Sequence, residues 1–237
     1  ALTPDETDRL FGILRENFSW KQDAEITCEV NPGEVDGAKL EGYRRHGVNR
    51  ISLGVQSLND ALLKDTNRAH DAAAARETAR LALTLGFDNL SMDLILRLPG
   101  QTAGDVRAAA EAVAAWGAKQ VVTYDLAVHD ETVYGLRRRR GQLVLPPEDE
   151  HERMFAAVED VLGREGFDHY EISSFAKPGF ESRHNLIYWH NQPYLGLGPG
   201  AFEDLTLRAL HVLEGASHVI LRTERHPCIA QVRAHLA

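Results

Sequence analysis

The chain has 237 residues, 43% of them hydrophobic and 26% charged, proportions of a globular protein that can bury a substantial core in one large or two smaller domains. A formal net charge of −9 argues against nucleic acid as a partner, because holding a phosphate backbone requires a basic face. No apolar run approaches the roughly 20 residues that span a bilayer, and the opening Ala-Leu-Thr-Pro-Asp-Glu lacks the pattern of a signal peptide. A cytoplasmic chain without stable membrane insertion is therefore expected. The two cysteines, Cys28 and Cys228, cannot supply a C-x-x-x-C-x-x-C cluster motif or a structural zinc site, so no metal ligands are expected.

Thr3, Pro4 and Glu6 form a helix start, with Thr3 as N-cap, Pro4 in the first turn and Glu6 closing a capping box. Strand-like runs follow near 25–31, 50–56, 89–96 and 119–126, with helical patterns near 36–46, 71–85 and 103–116 between them. Gly47, Gly86 and Gly117 stand where those helices should stop. Regular strand–helix alternation predicts βαβ units and a parallel sheet, an α/β fold. Arg137 to Arg140, between Gly135 and Gly141, reads as a solvated loop tip, with an anion site as the alternative. A charged amphipathic helix follows over about 148–165, then an aromatic, histidine-bearing segment over 169–190 and a glycine-rich stretch, Gly196 to Gly200. The tail suggests a strand near 218–222 and a short helix after Pro227.

Side chains alternate across a strand. Cys28 and Val30, then Ile51, Leu53 and Val55, then Leu90, Met92 and Leu94 form bulky apolar sets, suited to lie under helices. The opposite sets, Thr27 and Glu29, then Ser52, Gly54 and Gln56, then Asn89, Ser91 and Asp93, are small or polar. A closed barrel with a packed interior would need branched apolar residues there. Three polar strands in phase instead predict a wide or open barrel around a ligand, with Glu29, Gln56 and Asp93 toward the carboxyl ends, where parallel α/β folds place their sites. The competing reading makes them capping or edge residues facing water.

Taken in order, Glu29-Val-Asn-Pro-Gly33, Gly47-Val-Asn-Arg-Ile-Ser-Leu-Gly-Val-Gln-Ser57, Asn67-Arg68, Asp93-Leu-Ile-Leu-Arg-Leu-Pro-Gly-Gln-Thr102 and Leu143-Val-Leu-Pro146 resemble the HemN/HemW family of the radical SAM superfamily. That family holds oxygen-independent coproporphyrinogen III oxidases and related haem chaperones. Tyr170-Glu-Ile-Ser173, Ala176-Lys-Pro-Gly179, His184-Asn-Leu-Ile-Tyr-Trp189 and Tyr194-Leu-Gly-Leu-Gly198 continue the likeness, which covers about residues 1–202.

The resemblance implies a partial (β/α)6-type barrel over 1–202 lacking its first βα unit, with 203–237 a remnant leading toward a C-terminal domain. It implies S-adenosylmethionine as cofactor, held by Glu29, Gln56, Arg68 and Asp93, with Ala127 and Leu195 lining the adenine. It also implies a 4Fe-4S cluster in the full-length family, although the cluster motif and its neighbouring strand are absent from this sequence. His184, in an HNxxYW setting more typical of the HemW branch, is a candidate haem ligand with Tyr188 and Trp189 beside it; a core histidine is the alternative. Where the family commonly has a histidine after the alanine of the glycine-rich stretch, this chain has Phe202 after Ala201. Three functions remain open: a radical SAM oxidoreductase given as an incomplete piece, a haem-binding chaperone with a haem-accepting partner protein, and a degenerate product. No catalytic residue is named within the chain.

Overall fold

The computed structural model describes residues 2–194, 196–197 and 220–221. The chain divides into two compact units: Ile26–Arg44 with Val48–Glu181, and Ala1–Glu25 with Arg45–Gly47 and Ser182–Ala237. In chain order the elements are α1 (Pro4–Asn17), β1 (Thr27–Val30), α2 (Gly37–Arg45), β2 (Arg50–Gln56), α3 (Asp60–Asp65), α4 (Ala72–Thr84), β3 (Asn89–Leu96) and α5 (Ala103–Ala115). They continue with β4 (Gln120–Asp125), α6 (Val133–Arg139), α7 (Glu148–Arg164), β5 (Asp168–His169), β6 (Ser174–Ala176), α8 (Arg183–Trp189), β7 (Gly196–Leu197) and β8 (Ile220–Leu221). The boundary expected near 202 and the helix expected after Pro227 lie outside the described residues, while β8 falls within the expected tail strand.

In the larger unit β1 to β4 run parallel in sequence order, and β6 and then β5 extend the sheet antiparallel beyond β4. The fold is therefore α/β with a mostly parallel sheet, as the alternation predicts. The antiparallel extension was not anticipated, because strands of two and three residues leave no measurable period. Ile51, Leu53, Leu90 and Met92 are fully buried on one face, against which α4 packs on β2 and β3 and α5 on β3 and β4. α7 lies along α5, burying Met154, Val158, Val161 and Leu162.

The ends of the helices follow from local chemistry. α5 opens on a second capping box, Thr102 with Asp105. α4 ends at Gly86, φ +81, where the Gly86 N–H reaches the Leu83 carbonyl and the Phe87 N–H the Ala82 carbonyl. A residue with a Cβ would be strained in that left-handed closure. α7 carries Glu148, Asp149 and Glu150 in its first turn, where carboxylates oppose the helix dipole.

The run Arg137 to Arg140 is not a loop tip: Arg137 to Arg139 form the last turn of α6. The correction has a tertiary cause. Arg137 Nη1 contacts both Asp65 carboxylate oxygens at 2.7 and 2.9 Å, the Tyr134 hydroxyl donates to the same carboxylate at 2.8 Å, and Arg138 pairs with Asp130 at 2.7 Å. These acidic partners are too distant in sequence, or too ordinary in composition, to mark a helix in advance.

In the smaller unit, α1 carries the predicted capping box, Thr3 with Glu6. Its Phe11 ring stacks on His46 at 4.7 Å, while His46 Nε2 meets Asp8 at 2.6 Å. No described helix is long and apolar enough to cross a membrane. Leu90 is 0% exposed at the centre of the sheet, so Leu90→Ala should lower unfolding free energy by roughly 2–5 kcal/mol in urea titrations. A loss below about 1 kcal/mol would mean the helices do not close over β3.

Candidate functional site

The parallel register aligns the polar residues into rows. Thr27, Arg50 and Asn89 share one row, and Glu29, Ser52, Ser91 and Gln120 share the next. Asp93 stands beside Val122, and Tyr124 beside Ile95, farther along. The polar face read from alternation is therefore a continuous layer across four strands. Asp93 is mid-strand rather than terminal, a small departure from the expected placement at the carboxyl ends.

Several of these residues have identifiable partners. The Ser52 hydroxyl donates to the Asp93 carboxylate, 3.1 Å from Oδ1 and 3.2 Å from Oδ2. Arg68 Nη1 donates to Asn31 Oδ1 at 3.3 Å. Burial pushes the Asp93 carboxyl up to about 6, with Ser52, Arg50 and Arg68 opposing that rise and Glu29 adding to it. Burial, together with the carboxylates of Asp93, Glu29 and Glu171, pushes the Tyr124 phenol up to about 12. The structure thus brings Glu29, Arg68 and Asp93 into one electrostatic neighbourhood.

Gln56 joins them by a different route from the one alternation suggests. The register slips between Leu53 and Gln56, and Gln56 takes φ +67. Its side chain folds back over Gly54: a Cβ added at Gly54 would stand 2.8 Å from Gln56 Nε2 and 3.3 Å from Asn31 Oδ1. A side chain at this position would displace the Gln56 carboxamide, which lies here beside Asn31, the acceptor of Arg68.

Arg50, Gln120 and Tyr124 were not singled out from the sequence. Arg50 is 5% exposed and reaches Thr27 Oγ1 at 3.4 Å and the Gln120 carboxamide, whose Nε2 donates to the Tyr170 hydroxyl at 2.6 Å. Carrying the alternation one step back from Ser52 would have found Arg50, and one step on from Val122 would have found Tyr124. Ala127 is exposed, next to Leu126, whose N–H donates to the Leu96 carbonyl at 3.0 Å. Leu195 lies outside the described residues. His184 belongs to the smaller unit, in α8, where its Nε2 is 2.7 Å from the Tyr188 hydroxyl and the Tyr188 ring meets Tyr194 edge-on at 4.4 Å.

Two carboxylates, two guanidiniums and a carboxamide within one partly screened layer suit a ligand carrying both charges and hydroxyls. A phosphate would meet Glu29 and Asp93 and be repelled.

The radical SAM superfamily model matches residues 2–113. The heme chaperone HemW of Lactococcus lactis is 39% identical over 201 residues, covering 85% of this chain and 53% of that protein. The HemW of Synechocystis is 41% identical over 179 residues, covering 76% of this chain and 43% of that protein. Among solved structures, coproporphyrinogen III oxidase HemN from Escherichia coli, described as a radical SAM enzyme, superposes with a TM-score of 0.68 at 25% identity over 82% of this chain and 44% of its own. The chain is thus similar to the radical SAM superfamily over residues 2–113 and to members of the HemN/HemW family over most of its length. It spans about half the length of the HemW relatives it matches.

Radical SAM proteins use S-adenosylmethionine and a 4Fe-4S cluster. The polar layer fits the first. The cluster finds no ligands: among the described residues no group of three or more His, Cys, Asp or Glu side chains could hold a metal. Cys28 lies in the apolar row with Ile51 and Leu90, where burial raises its thiol to about 11.

Asp93 gives the polar layer a pH signature. An unfolded carboxyl titrates near 3.8 and the folded one near about 6. The folded state therefore holds the proton more tightly, and that stabilisation, complete below pH about 4, is lost as pH rises through about 6. The thermal midpoint of Asp93→Asn should gain on the native chain between pH about 4 and about 6.5 and then run level. A pH-independent difference would show that Asp93 is not desolvated.

Proposed function

We propose that Glu29, Gln56, Arg68 and Asp93 form an S-adenosylmethionine cradle, within a radical SAM protein that acts in haem or porphyrin metabolism. The observation carrying this reading is their convergence: residues from β1, the β2 bulge, the turn after α3 and mid-β3 are linked through Asn31, Gly54 and the shared field at Asp93. Arg68 offers a planar fork to the methionine carboxylate. Glu29 and Asp93 can take the ammonium or the ribose hydroxyls, and the Gln56 carboxamide can both donate and accept. When bound, S-adenosylmethionine supplies a reducible sulfonium. The chain's own groups bind and orient it, and the Ser52 hydroxyl helps hold Asp93 ionised at neutral pH.

Of the two activities in the family, the haem chaperone reading gains support from α8. A neutral histidine is a competent haem ligand, and His184 stands with Tyr188, Trp189 and Tyr194, all three exposed aromatics. The relatives named heme chaperone point the same way. The oxidase reading keeps the support of the HemN fold. Under either, the cytoplasm is the proposed location, and under the chaperone reading a haem-accepting protein is the proposed partner.

Calorimetric titration with S-adenosylmethionine tests the cradle. Arg68→Ala should weaken binding roughly 10- to 100-fold, and Arg68→Lys should not restore it, because one ammonium cannot replace a bidentate fork. Equal affinity in all three proteins would remove Arg68 from the site. A haemin titration tests the second reading: the Soret band should shift with the native chain and fail to shift with His184→Ala. Coproporphyrinogen decarboxylation by the full-length protein, without a Soret shift, would reject the chaperone in favour of the oxidase.

A further inference from the structure

Gln56 is held by its backbone in a conformation that L residues rarely adopt, and the sheet alone does not explain what keeps it there. At φ +67 it forms the centre of a γ-turn in which the Ser57 N–H donates to the Val55 carbonyl at 2.8 Å. This is the strained, positive-φ hand of that turn, and such conformations persist only where their surroundings over-determine them. The second determinant is His70. Its Nε2 lies 3.2 Å from the same Val55 oxygen, and the residue is 8% exposed. A carbonyl oxygen can only accept, so Nε2 carries the proton.

His70 stands two residues after Arg68 in the segment that follows α3. That segment turns at Asn67, φ +58, with the Arg68 N–H bonded to the Leu63 carbonyl. One short stretch therefore presents Arg68 and reaches back to pin the turn of Gln56. The pinned turn lays the Gln56 carboxamide over Gly54, beside Asn31, which accepts from Arg68.

We propose that His70 is a positioning residue: its Nε2–H on the Val55 carbonyl holds the γ-turn that places the Gln56 carboxamide beside Asn31 and Arg68. This rests on the S-adenosylmethionine reading for its consequence, though not for its geometry. A histidine that only filled space in the core would act on stability and not through Gln56.

The test is a cycle on the whole chain, with S-adenosylmethionine and S-adenosylhomocysteine titrated by calorimetry. His70→Leu should weaken binding about tenfold in the native background and leave it unchanged in Gln56→Ala, because neighbours acting through one group are not additive. His70→Gln, whose carboxamide can present an N–H at similar reach, should recover most of the affinity. His70→Asn, too short to reach, should behave as His70→Leu and serves in its place should the leucine variant not fold. An undiminished loss in the Gln56→Ala background, or native affinity in both His70→Leu and His70→Asn, overturns the proposal. If the native chain binds neither compound, the cradle reading fails on its own account. The Gln56 proton–nitrogen resonances then decide: displacement in His70→Asn and return in His70→Gln support the clamp, and unmoved resonances overturn it.

Discussion

The polar layer depends on one buried cation. Arg50 is 5% exposed, and an isolated charge at such a position would be expensive to bury. It is tolerable because the register sets Thr27 beside it on β1 and brings Gln120 within reach on β4, while Asp93 lies close enough for the guanidinium to favour its ionised form. Gln120 passes the connection to Tyr170, just before the antiparallel extension at β6. Four parallel strands and their appended edge are thus stitched together on the face that a closed barrel would fill with branched apolar side chains. Removing Arg50 would leave Gln120 and Thr27 with unmatched polar groups and let Asp93 rise further.

The same arrangement explains why the site is costly. Asp93 is held above its ordinary range by burial, and the Oγ atoms of Ser91 and Ser174 are buried without a hydrogen-bond partner among the described residues. Buried polar groups of this kind weaken a fold and cluster where function requires them. The apolar face supplies the compensation: Ile51, Leu53, Leu90, Met92 and Leu94 are almost fully covered, and α5 and α7 add Val113, Val158 and Leu162. One face of the sheet is therefore apolar and covered by helices, and the other carries the polar layer.

Much of this was legible because the signals were local or periodic. The Thr3–Glu6 box, the glycine stops and the alternation in β1 and β3 are set by neighbours within a few residues. What escaped was set by distant partners. α6 forms where Asp65 and Asp130 neutralise its arginines, and β6 is a strand because β4 offers it an edge. Gln56 is the instructive intermediate case. Formal alternation puts it on the polar face, and its side chain does arrive there, but through a slipped register and a left-handed backbone that no periodicity encodes.

That difference bears on what the layer can select. Glu29 and Asp93 project from regular strand positions, so their spacing is fixed by the sheet itself. Gln56 and Arg68 sit on turns, each with a left-handed residue at or beside it. The sheet thus places the two carboxylates, and turns place Gln56 and Arg68. A ligand with an anionic group for Arg68 and cationic or hydroxyl groups for the two carboxylates would engage both halves. Arg68 and Gln56 should accordingly respond together to any change in the segment between them and His70, whereas Glu29 and Asp93 should respond to the sheet alone. The mixed charge of the layer and its two kinds of support suit a ligand that carries both charges and hydroxyls.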